Sequence, residues 1–384
     1  MPSTVPQMHD LLSNMRAHDA SDLHLKVGMP PIYRVGGHLR VAGAVPPLSP
    51  EDTDRLIHEI LPPHMQGRLD DTGDADFSAF QRLDDDDESG GPDRQDRFRC
   101  NVFRAGGHLH AAIRRVKPEI PTFESLNLPD IYRKLADESH EGLILVTGVT
   151  GCGKSTTLAC MLERVNETRA ENIVTIEDPV EYNIHPKKSV VSQRELGIDV
   201  PSYAEALRYV VRQDPDVIFI GELRDHDTVL AAIQAAETGH LVFGSLHTAD
   251  TMQTFSRIVE FFPQHEHGFV RSALANSLKA VCAQRLLPMA EGGGMIPATE
   301  VLISNASVKE KIREGHDTDL PAIVNSSLND GMRSFTYSLA ELVENEKVAM
   351  HTALEYAPNR EALKSRIKGV DVRESMLVNR ISGG

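Results

Sequence analysis

The sequence holds little cysteine for its 384 residues, and what it has is scattered. Cys100, Cys152, Cys160 and Cys282 form no C-x-x-C pair, which argues against a disulfide-stapled secreted scaffold and against a thiolate zinc site. Cys152 and Cys160 fall on one predicted helix about 12 Å apart, too far to bridge. No apolar run approaches the ~18 residues of a membrane span. The start, MPSTVPQMHDLLSNMRAHD, lacks a basic-then-apolar signal sequence. Basic charge is scarce as well: 40 Lys and Arg face 56 Asp and Glu, a formal charge of −16. The densest basic stretches, Arg114-Arg115 with Lys117 and Lys187-Lys188, are too short to reverse that balance. Nucleic acid and anionic lipid are therefore poor partners. The expectation is a soluble cytoplasmic protein with no zinc and no nucleic acid. What the sequence does have is 40% hydrophobic residues, enough for the cores of two or three domains.

Over residues 1–117 the texture is short alternating stretches and turns. DLHLKVG (22–28), IYRVGGHLRV (32–41) and RFRCNVFRAGGHLHAAIRR (97–115) predict strands joined by Gly-containing hairpins, with a helix over 51–61 between them. This is a small α+β domain. The run at 84–88 reads as a solvated loop of self-repelling carboxylates. The prolines of KPEIPTF place a linker at 118–123. From 124 to 290, apolar runs at 143–146, 173–176, 217–220 and 241–244 predict strands buried on both faces. Helices alternate with them, one opening on the Ser202/Glu205 capping box and stopping near Asp214 before Pro215, another over 225–237 closed by Gly239. That alternation implies an α/β fold with a parallel sheet covered on both faces. Residues 291–384 read as a mainly helical C-terminal region.

The sharpest signal is Gly148-Val149-Thr150-Gly151-Cys152-Gly153-Lys154-Ser155, between the apolar LILVT and the helical TTLACMLERV. G-x-x-x-x-G-K-[ST] between strand and helix is a P-loop. The backbone of Gly148, Thr150, Gly151, Cys152 and Gly153 can wrap phosphate oxygens, with Thr156 just inside the helix. Lys154 reaches the β/γ-phosphates and the Ser155 hydroxyl binds Mg²⁺. The ligand is a nucleoside triphosphate; the resemblance described below makes it ATP. Hydrolysis also needs a carboxylate to polarise water. The second and third core strands end in Glu177-Asp178-Pro179-Val180-Glu181 and Gly221-Glu222-Leu223-Arg224-Asp225, on the edge where the P-loop lies. Glu222 stands where a Walker-B acid should. Gly221 fills the usual Mg²⁺-binding Asp position, which shifts that role to Ser155, water and Glu177. His247 closes the fourth strand at the same edge and can donate to a phosphate oxygen; His240, at the opposite strand end, is the second histidine candidate.

Four blocks in this order and spacing, GVTGCGKSTT, TIEDPVEY, DPDVIFIGELRD and AETGHLVFGSLHT, resemble the Walker A, Asp-box, Walker B and His-box motifs of type II/IV secretion ATPases. The blocks SDLHL, QRELG and AQRLLP fit too, and the likeness runs over about residues 8–345. Within that family the chain is similar to the PilT/PilU-like retraction motors of type IV pili. The extension and secretion branches usually carry a four-cysteine zinc loop after the His box and a further N-terminal domain. Here Cys282 is the one cysteine in that region and the DLHL block comes early, so neither feature is expected and the retraction branch is favoured. Ile312-Arg313-Glu314 resembles the end of the retraction motif, whose first half is altered here, and the helix around it is the expected contact for a platform protein.

The resemblance implies a PAS-like N-terminal domain joined to a RecA-like ATPase domain, six chains in a ring, and work on a pilus through an inner-membrane platform protein. It makes Glu222 the catalytic base, Glu177 the aid to Mg²⁺ or its water, and His247 the γ-phosphate contact. Arg99 and Arg114 become arginines that reach the nucleotide. It places the chain at the cytoplasmic face of the inner membrane and allows a paralogous retraction ATPase as a partner. Two other functions fit the same chemistry: a pilus extension or type II secretion ATPase, and an accessory nucleotide-binding ring.

Overall fold

The computed structural model describes residues 5–82, 95–116 and 119–369; the acidic run at 84–88 and the start of the expected linker lie outside them. The chain divides into two compact units. The first holds the described residues up to Glu119 together with Val180–His185, and the second holds Ile120–Pro179 and everything described from Pro186 on.

The first unit is an antiparallel sheet built from β1 (Ala20–Leu25), β2 (Ile32–Val35), β3 (His38–Val41), β4 (Asp74–Arg82), β5 (Gln95–Ala105) and β6 (His108–Arg115), in the order β3-β2-β1-β6-β5-β4. Its hairpins turn at Gly36-Gly37 and Gly106-Gly107, all at positive φ, where side chains are disfavoured. Helices α1 (Met8–Ala17), α2 (Pro50–His58) and α3 (Gln66–Thr72) complete it. Leu11, Met15, Leu56 and Ile57 from the helices share a core with Leu23, Phe98 and Ile113 from the strands. Helix α2 starts where Ser49 and Asp52 cap each other's backbone N–H groups and Pro50 opens the first turn. The predicted strands are present; β4, α1 and α3 are additions.

The second unit is a sheet of β7 (Gly142–Thr147), β8 (Asn172–Glu177), β9 (Val190–Glu195), β10 (Val217–Ile220), β11 (Leu241–Leu246), β12 (Leu278–Pro288) and β13 (Met295–Ile303), ordered β13-β12-β7-β11-β10-β8-β9. All neighbours are parallel except β12 and β13. Its helices are α4 (Asp130–Glu138), α5 (Lys154–Thr168), α6 (Tyr203–Val210), α7 (His226–Glu237), α8 (Thr251–Glu260), α9 (His267–Ser277), α10 (Ala306–Glu314), α11 (Leu320–Ser326), α12 (Phe335–Glu344), α13 (Met350–Tyr356) and α14 (Arg360–Ile367). The four predicted apolar strands lie side by side at the centre, β7-β11-β10-β8, buried throughout apart from the first residue of β8. Parallel strands covered on both faces need such runs.

Two expectations are corrected. The region after Pro288 does not turn directly to helix: β13 extends the core sheet to Ile303, beyond the expected limit at 290, by pairing antiparallel with β12. The fully buried Ile296, Ala298, Val301 and Leu302 supply the burial that drives it. Helix α6 ends at Val210 rather than near Asp214, because Asp214 adopts a left-handed φ of 54° before Pro215. Phe335, Leu339, Ala353 and Leu363 of the C-terminal helices pack with Leu287, Ile296 and Ala298 of β12 and β13. Among the described residues no helix is long and apolar enough to cross a membrane.

Candidate nucleotide-binding and hydrolysis site

The parallel pairing brings the C-terminal ends of β7, β8, β10 and β11 to one edge. The P-loop leaves β7 there. Gly148 (φ 150°), Gly151 (φ 80°) and Gly153 (φ 91°) shape it. A Cβ at Gly148 would stand 2.4 Å from Cys152 Sγ and 2.5 Å from the Gln284 carbonyl oxygen, so only glycine closes this turn. Helix α5 follows with Gly153 as its N-cap, which has no side chain to satisfy the first-turn N–H groups. The neighbouring α6, α7 and α8 spend theirs on Ser202, Asp225 and Asp250. An uncapped N-terminus inside a glycine loop is a phosphate cradle. Lys154, 8% exposed, donates to the carbonyls of Gly148 at 2.8 Å and Val149 at 3.3 Å.

His247, the first residue after β11, ties this loop to the acid. Its Nδ1 lies 3.4 Å from Thr150 Oγ1 and 3.5 Å from Lys154 Nζ, and its Nε2 lies 3.4 Å from Glu222 Oε1. An ammonium only donates and a carboxylate only accepts, so the neutral imidazole with its proton on Nε2 satisfies both sides. Glu222 and His247 are both part-exposed and accessible to substrate. Glu177 ends β8 and is buried; its Oε1 accepts from Thr175 Oγ1 at 2.7 Å and Gln193 Nε2 at 3.0 Å. A Cβ at Gly221 would press on the Tyr203 hydroxyl at 3.0 Å and the Ile176 carbonyl at 3.2 Å, which leaves little room for an acid at that position.

The second unit thus brings the P-loop residues, Glu177, Glu222 and His247 together. It does not bring His240: the ring precedes β11 at the opposite edge, where Nδ1 donates to the Ala235 carbonyl at 2.9 Å and closes the end of α7. That contact is structural. Arg99 and Arg114 lie in the first unit as directly opposed partners on β5 and β6. Asp22 opposes Arg114 on β1, and Arg34 opposes Asp22 on β2. Opposed residues share a sheet face, so these four form one row. Arg114 Nε donates to Asp22 Oδ1 at 2.8 Å. Burial raises the pKa of Asp22, but hydrogen bonds from Ser21 and Arg114 and the latter's charge outweigh it and hold the carboxyl below its ordinary value.

The expectation for Ile312-Arg313-Glu314 as a contact surface is corrected in part: Ile312 is fully buried in the core, whereas Arg313 and Glu314 are exposed. Within the Asp box, Glu177 to Pro179 belong to the second unit and Val180 to Tyr182 to the first. All four cysteines are free and buried. Burial pushes the Cys282 thiol up to about 12, which keeps it protonated and out of metal or redox chemistry.

One site residue is not evident from the sequence. Gln284, 1% exposed on β12, donates Nε2–H to the Cys152 carbonyl at 2.8 Å and accepts from Thr157 Oγ1 at 3.0 Å. It bolts the P-loop and α5 to the sheet. The one local trace is an amide beside an arginine inside the otherwise apolar AVCAQRLL. Beside it a cavity of about 400 Å³, lined by Val149, Gly151, Arg285, Met295 and Tyr356 among others, has the size that takes a small organic ligand.

Residues 112–323 match the family model described as Type II/IV secretion system protein. The chain is 38% identical over 348 residues to the type IV pilus retractation ATPase PilT of Pseudomonas aeruginosa, covering 91% of this chain and 97% of that one. It is 34% identical over 362 residues to the type IV pilus ATPase PilU of the same species, covering 94% and 91%. The crystal structure of the pilus retraction motor PilT with bound ADP superposes with a TM-score of 0.82 at 40% identity, covering 94% of this chain and 99% of that one. With its P-loop, acid and histidine in place, the chain belongs to the type II/IV secretion system protein family.

Proposed function

We propose that this chain hydrolyses ATP to power retraction of a type IV pilus. The observation that carries the chemistry is His247 standing between the P-loop and Glu222. In this reading Glu222 takes the proton of the attacking water as its oxygen bonds to the γ-phosphorus and ADP leaves. Lys154 meets the phosphate charge, and His247 senses that phosphate while its Nε2 proton faces Glu222. Arg99 and Arg114 supply guanidinium charge to the transferring group. The hard oxygen donors of Ser155 and Glu177 suit Mg²⁺, which keeps few protein ligands and binds substrate phosphates. When bound, that ion neutralises phosphate charge.

Retraction as the direction of work is supported by the near full-length likeness to PilT. The finer parts of the reading are a homohexamer acting through an inner-membrane platform protein from the cytoplasmic face, and a PAS-like domain over 1–117 feeding a RecA-like core. The similar likeness to PilU supports a second reading, an accessory motor that works beside a paralogous retraction ATPase.

A count of surface pili tests both. The strains are a deletion of this gene and the same strain carrying wild type or Glu222→Gln. Excess pili in the deletion, corrected by wild type alone, is the expected result. Bald deletion cells would make the chain an extension motor, and equal correction by Glu222→Gln would make it an accessory ring that does not depend on its own hydrolysis. In parallel, the purified chain should release phosphate from ATP.

A further inference from the structure

The segment that carries His247 is held at one point by a charge that the hydrolysis chemistry does not use. Glu300, partly buried on β13, accepts from the Thr251 backbone N–H at 3.0 Å and from Thr251 Oγ1 at 2.8 Å through Oε1. Its Oε2 accepts from the Phe335 N–H at 3.4 Å. Thr251 is the first residue of α8 and Phe335 the first of α12, so one carboxylate serves the N-terminal ends of two helices, where negative charge is favoured.

Between His247 and Thr251 there are only Thr248, Ala249 and Asp250. The Thr248 hydroxyl lies 2.9 Å from that of Thr254 in α8, and Arg285 Nη2 donates to the Ala249 carbonyl at 3.4 Å. The other arm of Arg285 donates to the Tyr356 carbonyl at 2.7 Å, and its guanidinium lies 4.2 Å from the Phe335 ring centroid. In the β12–β13 register Ala283 opposes Glu300 and Gln284 opposes Thr299. Adjacent rungs of one hairpin therefore hold the two halves of the site: Gln284 holds the P-loop, and Glu300 with Arg285 holds the histidine segment.

We infer that Glu300 is a positioning residue of the ATPase site, which fixes His247 against the P-loop through Thr251 and joins that segment to the C-terminal helix α12. The inference rests on the ATPase reading above. It places the requirement in the turnover step rather than in nucleotide capture, because the P-loop is held separately by Gln284.

The test uses the full chain with Thr251→Val, Thr251→Ser and Glu300→Gln. Thr251→Val removes one of the three bonds and keeps the shape, so it decides the question even if Glu300→Gln does not fold. The expected result is a kcat for ATP lowered at least about fivefold in Thr251→Val and Glu300→Gln, with KM and ADP affinity within about twofold of wild type. Thr251→Ser, which keeps the hydroxyl, should restore kcat to within about twofold. Unchanged kcat in Thr251→Val would overturn the inference while leaving the ATPase reading intact. A matching loss of ADP affinity would overturn it as well, since that marks general loosening. A wild-type chain that releases no phosphate from ATP removes the ATPase reading and this inference with it.

Discussion

His247 Nε2 faces Glu222 Oε1 at 3.4 Å across the ends of two adjacent parallel strands, β11 and β10. The pair couples the residue nearest the P-loop lysine to the residue best placed to take a proton from water. Glu222→Gln keeps the size and the contact but removes the base. Its ATP turnover should fall by about 100-fold or more, with ATP affinity unchanged. Phosphate release under saturating ATP measures it, and wild-type turnover would remove Glu222 from the base role.

Gln284 should matter to both stability and binding. Gln284→Ala strips the Cys152 carbonyl and the Thr157 hydroxyl of their partner inside a closed environment. Leaving buried polar groups unpaired costs about 3 kcal/mol in this setting. A lower urea midpoint is expected, together with a KM for ATP raised about tenfold by a loosened P-loop.

Gly148 tests the cradle more harshly. The Cβ of Gly148→Ala would lie far inside van der Waals contact, 2.4 Å from Cys152 Sγ and 2.5 Å from a backbone oxygen that cannot rotate away. Overpacking together with the φ of 150° should cost about 3 kcal/mol and abolish nucleotide binding. Thermal shift with and without ATP reads both effects.

These three residues also mark how far the sequence could be read. The central strands were legible because a strand buried on both faces must be an apolar run, and the P-loop because its chemistry lies within eight consecutive residues. β9 was hidden because it is an edge strand whose sequence, VVSQRE, has only two apolar residues and buries neither. β12 and β13 were hidden because Gln284, Arg285, Thr299 and Glu300 interrupt their apolar pattern. Those interruptions are the residues that support the site. Their partners lie far off in sequence, 132 positions for Gln284 to Cys152 and 49 for Glu300 to Thr251, so no local pattern could announce them.

A largely buried ion pair closes the region around α10. Arg271 donates to both oxygens of Asp317 at 2.8 Å and to the Ile312 carbonyl at 3.2 Å. Removing one partner strands the other's charge, so Asp317→Ala should cost about 3 kcal/mol or more. Replacing both, as Arg271→Met with Asp317→Leu, should recover most of that loss. Urea unfolding of the single and double variants decides it; a double variant no better than the single would mean that the Ile312 contact, not the pair, is what matters.

Asp22 gives a dependence on pH. Its unfolded value is near 3.8 and its folded value lies lower, held there by Ser21 and Arg114 against the opposing effect of burial. A carboxyl depressed by folding contributes its stability above the unfolded value and loses it as pH falls through the folded value. The Arg114 side chain is 66% exposed, so solvent screens the pair and the contribution is modest. Asp22→Asn should cost about 1 kcal/mol near pH 7. The gap to wild type should then shrink as pH drops from about 4 toward 2, where the wild-type carboxyl is neutral too. Urea midpoints of the two chains across that window measure it. A gap that stays constant at low pH would mean that the aspartate acts through its shape alone, and that Arg114 takes its orientation from another part of the sheet.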